Sequence, residues 1–110
     1  MYVSQSRSID YATVGTLNNY PLRFITNSTE AARFDTSQNF LPGADNTQDL
    51  GSSTKRWANI HSADLHLSNE DTEGNEVDGT TGNWTIQEGE DDLFLLNRKN
   101  GTRIVTGKQG

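Results

Sequence analysis

Apolar and polar positions alternate with a period of two in several short runs along the chain, and almost nowhere with the period of a helix. Leu22-Arg23-Phe24-Ile25-Thr26 is rich in β-formers and follows Pro21, which predicts a strand. Asn27-Ser28-Thr29-Glu30 has turn composition, and Ala31 to Asp35 places Ala32 and Phe34 on one face. Together these runs predict a hairpin with a four-residue connection. Asn39-Phe40-Leu41 then runs into a Pro42-Gly43 breaker. From Ile60 to Leu67 the pattern alternates again, with Ala63, Leu65 and Leu67 opposite Asp64, His66 and Ser68, as in a half-buried strand. The best helical candidate, Thr54 to Ile60, supports one or two turns at most.

The last third is the most regular. Trp84-Thr85-Ile86-Gln87 alternates, Glu88 to Asp91 reads as a turn, and Asp92 to Asn97 contains the most apolar run of the chain. Asn100-Gly101 is a strong hairpin signal, and Thr102 to Thr106 reads as the return strand of a three-stranded antiparallel meander. The expected class is therefore all-β. Four segments follow: an N-terminal extension or attachment segment over 1–20, a β-rich segment over 21–68, an acidic flexible loop over 69–83, and the meander over 84–110.

One such meander is marginal in water. The run Leu93-Phe94-Leu95-Leu96 is apolar on both faces, so both faces need cover. Composition sharpens the point. Apolar residues make up 31% of the 110 residues, about 40% with glycine included, against roughly 45–50% in ordinary globular domains. Self-association is the economical way to complete such a core.

Charge and chemistry narrow the function. The net charge of −6 and the dispersed basic residues argue against a nucleic-acid partner, and an acidic surface repels anionic membranes. No window of about 20 apolar residues is present, so no membrane insertion is expected. Without cysteine there is no thiol nucleophile and no cysteine metal site. His61-Ser62-Ala63-Asp64 brings the residue types of a catalytic triad close together, but no nucleophile-elbow pattern accompanies them. His61 and His66 fall on opposite faces of a strand and would not chelate one metal within a chain, though three copies of either could meet on a symmetry axis. The acids of 70–78 and 88–92 lack the spacing of a calcium-binding EF-hand loop. Neither an enzyme nor a cofactor is expected.

Three ordered motifs carry a resemblance. Leu22 to Asp35 resembles a segment of phage tail fibres and related virion proteins, a strand and asparagine turn followed by "E-x-x-R-[FI]-D". Asp49 to His61 resembles "LGS-x-x-x-RW-x-x-I", and Trp84 to Leu95 is similar to a motif near the ends of marine-phage fibre proteins. The resemblance spans about residues 20–106. It implies an elongated, intertwined homotrimer on the virion surface, part of a tail or head fibre and in contact with other virion proteins. The family often carries a self-cleaving chaperone domain after such a region; here residues 104–110 lack the basic, aromatic ending expected before it, and a fragment of a longer fibre is the expectation. The apolar residues that would line the trimer core are Leu22, Phe24, Phe34, Trp57, Ile60, Leu65, Trp84, Ile86, Leu93, Leu95 and Ile104. Gly51 would permit the bend that precedes Trp57. The alternative is a receptor-binding tip that recognises host surface glycans through Tyr2, Tyr11 and Tyr20.

Overall fold

The structure is a computed structural model and describes residues 2–5 and 11–106. The expected ending at 107–110 lies outside the described residues, as does the side chain of Tyr2. Among the described residues every regular element is a β-strand and every strand pair is antiparallel. The candidate helical turn at 54–60 does not form. Ser52 instead closes a bend, its N–H donating to the Lys55 carbonyl at 3.0 Å and its Oγ accepting from the Lys55 N–H at 2.9 Å. Gly51 takes φ +84° at that bend, a conformation that favours glycine.

The chain divides into two compact units, residues 1–56 and 57–110. The first holds β1 (Tyr2–Gln5) paired with β2 (Ala12–Gly15), where the sequence suggested only an extension. It also holds a three-stranded sheet of β3 (Leu22–Thr26), β4 (Thr29–Phe34) and β5 (Phe40–Pro42), in that order. The β3–β4 connection is two residues long rather than four, because Thr26 pairs with Thr29. Asn27 and Ser28 both take positive φ, 49° and 59°, as a type I′ turn requires, and its twist matches that of the flanking strands. Thr29 and Glu30 are polar and so read as turn, yet both are strand residues in register with β3.

A register shift follows Phe24, whose partner is Ala32 while the partner of Ile25 is Glu30. Ala31 is thus the extra residue of a β-bulge. Its carbonyl accepts the Gly43 N–H at 2.9 Å, which pins the end of β5 against the bulge. The β4–β5 connection is organised by Asp35. Its carboxylate accepts from the backbone N–H groups of Ser37 and Asn39, both at 2.9 Å, and these bonds hold it below its ordinary pKa.

The second unit contains one sheet of four strands, β6 (Asp64–Ser68), β7 (Asn83–Glu88), β8 (Leu93–Asn97) and β9 (Arg103–Val105). The meander read from the sequence is there, and β6, grouped on the sequence with residues 21–68, extends it by pairing with β7. Glu88 belongs to β7 and pairs with Leu93, so the turn is residues 89–92. Asn100-Gly101 closes the β8–β9 hairpin within a longer connection, in which Gly101 takes φ +77° and donates its N–H to the Asn97 carbonyl. The β6–β7 loop is knit by its own side chains. Asn75 Oδ1 accepts from the N–H groups of Val77 and Asp78, and Asp78 Oδ1 accepts from Thr80, so the acidic stretch has a defined path.

Candidate functional site

Residues directly opposite one another in an antiparallel ladder share a face, as do alternate residues along each strand. Applied to the four-stranded sheet, this rule sorts the residues into two unlike faces. One carries Leu65, Leu67, Trp84, Ile86, Leu93, Leu95 and Ile104, with Glu88 and Asn97 at the periphery. Its middle row, Leu65–Ile86–Leu95–Ile104, crosses all four strands without a polar interruption. The other face carries Asp64, His66, Thr85, Gln87, Phe94, Leu96, Arg103 and Val105.

On the second face the side chains make contacts with one another. Thr85 is fully buried, its Oγ1 lying 2.9 Å from His66 Nδ1 and accepting from Arg98 Nε at 3.0 Å. Gln87 Nε2 donates to Asp64 Oδ2 at 3.2 Å. The Arg103 guanidinium stands 5.9 Å from the centroid of the Phe94 ring, a cation–π contact. Phe94 also lies against Gly89, where an added Cβ would come within 2.5 Å of the ring. Among the described residues nothing comparable covers the first face. Leu65, Leu67 and Ile104 remain about half exposed there, at 52%, 51% and 52%.

The three-stranded sheet repeats the arrangement. Leu22, Phe24, Ala32, Phe34, Phe40 and Pro42 share one face, on which the Phe34 ring meets Phe24 edge-on at 6.4 Å and Phe40 at 4.7 Å. The opposite face holds Arg23, Ile25, Glu30, Arg33 and Leu41. Arg23 and Arg33 are directly paired, an unfavourable juxtaposition of like charge. Glu30 resolves it, accepting from Arg23 Nε at 2.6 Å and from Arg33 through Nε at 2.8 Å and Nη2 at 2.6 Å. The Arg33 hydrogen bonds lower the Glu30 pKa from 4.5 to about 2, with Arg23 adding to the effect and partial burial opposing it. The charged residues of the run Glu30 to Asp35 are thus all engaged within the unit itself. Glu30 bridges the two arginines, and Asp35 shapes the turn that follows.

Among the described residues no apolar side chain is buried. Of the expected core residues, Leu22, Phe24 and Phe34 meet on one sheet face, and Leu65, Trp84, Ile86, Leu93, Leu95 and Ile104 meet on the other sheet's apolar face. Trp57 and Ile60 join neither sheet; they sit on an irregular stretch, 63% and 75% exposed. Leu67, Phe40, Ala32 and Pro42 complete the two faces. Leu67 was visible in the alternation with Leu65, whereas the short strand β5 left Phe40 no periodic signal.

The triad-like residue types do not assemble. Ser62 Oγ donates to the Asp64 main-chain carbonyl at 2.6 Å, and the Asp64 carboxylate faces Gln87. No group of three or more His, Asp or Glu side chains able to hold a metal occurs among the described residues. Among the described residues no helix is long and apolar enough to cross a membrane. Comparison with family models, curated proteins and solved structures finds no match to this chain.

Proposed function

We propose that the chain is a non-catalytic structural segment of a phage virion fibre, a shaft or tip segment that works as a homotrimer and contacts other virion proteins. The observation that carries this reading is the combination of ordered antiparallel sheets with no buried apolar side chain among the described residues. A sheet whose apolar face stays in water forgoes the main favourable term in folding, so such faces imply association. The motif around Glu30–Asp35 supports the same reading, since its residues build a braced hairpin rather than a reactive centre. Light scattering on a size-exclusion column tests it. The chain mass is 12.2 kDa, and a stable species of three times that mass is expected. A 12.2 kDa species at all concentrations refutes the trimer.

A second reading, a receptor-binding tip for host glycans, is favoured by Tyr20. It is 68% exposed beside an open cleft whose lining mixes Thr16, Asn18, Asn19 and Gln38 with apolar Val14, Leu17 and Leu22. Aromatic and amide groups together suit a neutral sugar. Failure of the protein to adsorb to host cells or to block infection would end this reading.

A further inference from the structure

We propose that Asn100 is a latent self-modification site, locked while the β8–β9 hairpin is closed and converted to aspartate or isoaspartate when the hairpin opens. Asn100 is the only asparagine of the chain that is followed by glycine. That order sets up a five-membered ring closure. The Gly101 amide nitrogen gives up its proton and attacks Cγ of the Asn100 side chain. An N–Cγ bond forms, the Cγ–Nδ2 bond breaks, and ammonia leaves with a proton equivalent to the one released. Water then opens the cyclic imide. Opening at Cγ gives aspartate; opening at the main-chain carbonyl carbon gives isoaspartate, in which the backbone runs through the side chain. One water is consumed, one ammonia is released, and nothing is oxidised or reduced. Glycine favours the step because no Cβ obstructs the approach of its nitrogen.

In the folded chain both reacting groups are already engaged. The Gly101 N–H donates to the Asn97 carbonyl at 2.9 Å, so this bond must break before the nitrogen can act. Asn100 Oδ1 accepts from the Thr102 N–H at 2.9 Å and from Thr102 Oγ1 at 2.7 Å, which fixes the direction of the side-chain amide. These two donors also draw electron density from Cγ, but the activation serves nothing while the Gly101 nitrogen is held. The Asn97 N–H closes the loop from the other side, donating to the Thr102 carbonyl at 2.8 Å. Residues 98–102 are exposed, so solvent base and water reach the site as soon as the loop opens.

Asp78–Gly79 could close the same ring, but its geometry disfavours it. Asp78 Oδ1 accepts from the Thr80 hydroxyl at 2.8 Å, from the Thr80 N–H at 3.1 Å and from Asn75 Nδ2 at 2.9 Å. These bonds favour the ionised carboxylate, which is a poor electrophile beside a neutral amide.

Conversion makes the opening one-way. Isoaspartate adds a carbon to the backbone between residues 100 and 101, so Thr102 no longer meets Asn97 and residue 100 at once. Strand β9 begins two residues beyond Gly101, at the edge of its sheet, and is only three residues long. Its register places Ile104 beside Leu95 and Arg103 beside the Phe94 ring. A chain that stays open long enough is thereby marked and loses its last strand, with one negative charge added to the −6 it carries.

The test incubates the full chain at mildly alkaline pH, in native buffer and in urea, and follows residue 100 by peptide mass spectrometry. Conversion is expected to be at least about tenfold slower in the native chain, because it proceeds only from the open fraction. Thr102→Val removes the Oγ1 bond and is expected to raise the native rate while leaving the urea rate unchanged. Hydrogen exchange at the Gly101 amide of the wild type keeps the test independent of how that variant folds. Exchange and conversion are expected to quicken together as urea is raised below the unfolding transition. Equal rates in native buffer and in urea, or conversion while the Gly101 amide stays protected, overturn the lock. An Asn100 that stays intact in urea overturns the site itself.

Discussion

Gly43 follows β5 and holds it against the bulge of β4, and replacing it by alanine is a sharp test of that arrangement. A Cβ built at Gly43 would lie 2.0 Å from the Glu30 carbonyl oxygen and 2.8 Å from its carbon. Ordinary contact needs more than about 3.4 Å, and neither neighbour is a flexible side-chain end. The backbone must therefore part by more than an ångström, which breaks the 2.9 Å bond from the Gly43 N–H to the Ala31 carbonyl. Loss of one such bond costs about 0.5–1.5 kcal/mol, and overpacking in a closely packed site about 1–3 kcal/mol. The expected loss for Gly43→Ala is about 1.5–4.5 kcal/mol in urea unfolding of the full chain. Gly15→Ala is the control, since a Cβ there meets nothing within 4 Å. A Gly43→Ala midpoint equal to that of the control would refute the account of how β5 is held, and with it the placement of Phe40 beside Phe34.

Glu30 predicts an acid-sensitive increment. Its folded pKa is lowered from 4.5 to about 2, so its contribution is fully present above about pH 4.5 and fades as the pH falls toward 2. The melting difference between wild type and Glu30→Gln should therefore be largest near neutrality and shrink through that window; a pH-independent difference would show that the arginine brace contributes nothing through charge. Leu95→Ala, in the middle of the aliphatic row, should lower the stability of the assembled protein by about 2–5 kcal/mol per chain. Trp57→Ala should act only at concentrations where the chain is associated, because Trp57 is 63% exposed in the single chain. Unchanged melting of both variants would remove both residues from the core.

The strands were legible wherever alternation ran for several residues, and the division into faces came with them. In β7 and β8 the period of two already separated Trp84, Ile86, Leu93 and Leu95 from Thr85, Gln87, Phe94 and Leu96. What escaped the sequence depended on partners rather than on composition. Glu30 looks like a turn residue until Arg23 and Arg33 are seen to face each other across the ladder. Strand β5 spans only Phe40–Pro42, and its proline argues against a strand until its edge position is known. On composition alone the run Phe94–Leu96 needs foreign cover on both sides, because the sequence does not reveal that Arg103 and the Gly89 turn border Phe94. Trp57 and Ile60 stand out by size alone, and no local periodicity says where such side chains will go.

Each strand in the three sheets hydrogen-bonds only to strands adjacent in sequence. This local wiring has a kinetic consequence. Hairpins and meanders close short loops, so their folding involves little chain search and proceeds within microseconds to milliseconds. Encounter between copies is a collision between separate molecules and slows with dilution. A rapid refolding phase independent of concentration, followed by a slower one that steepens with concentration and with added salt, is the expected time course for a chain of charge −6. During the interval between the phases the bare faces stand open together, and the route to productive assembly competes with every other way of covering them.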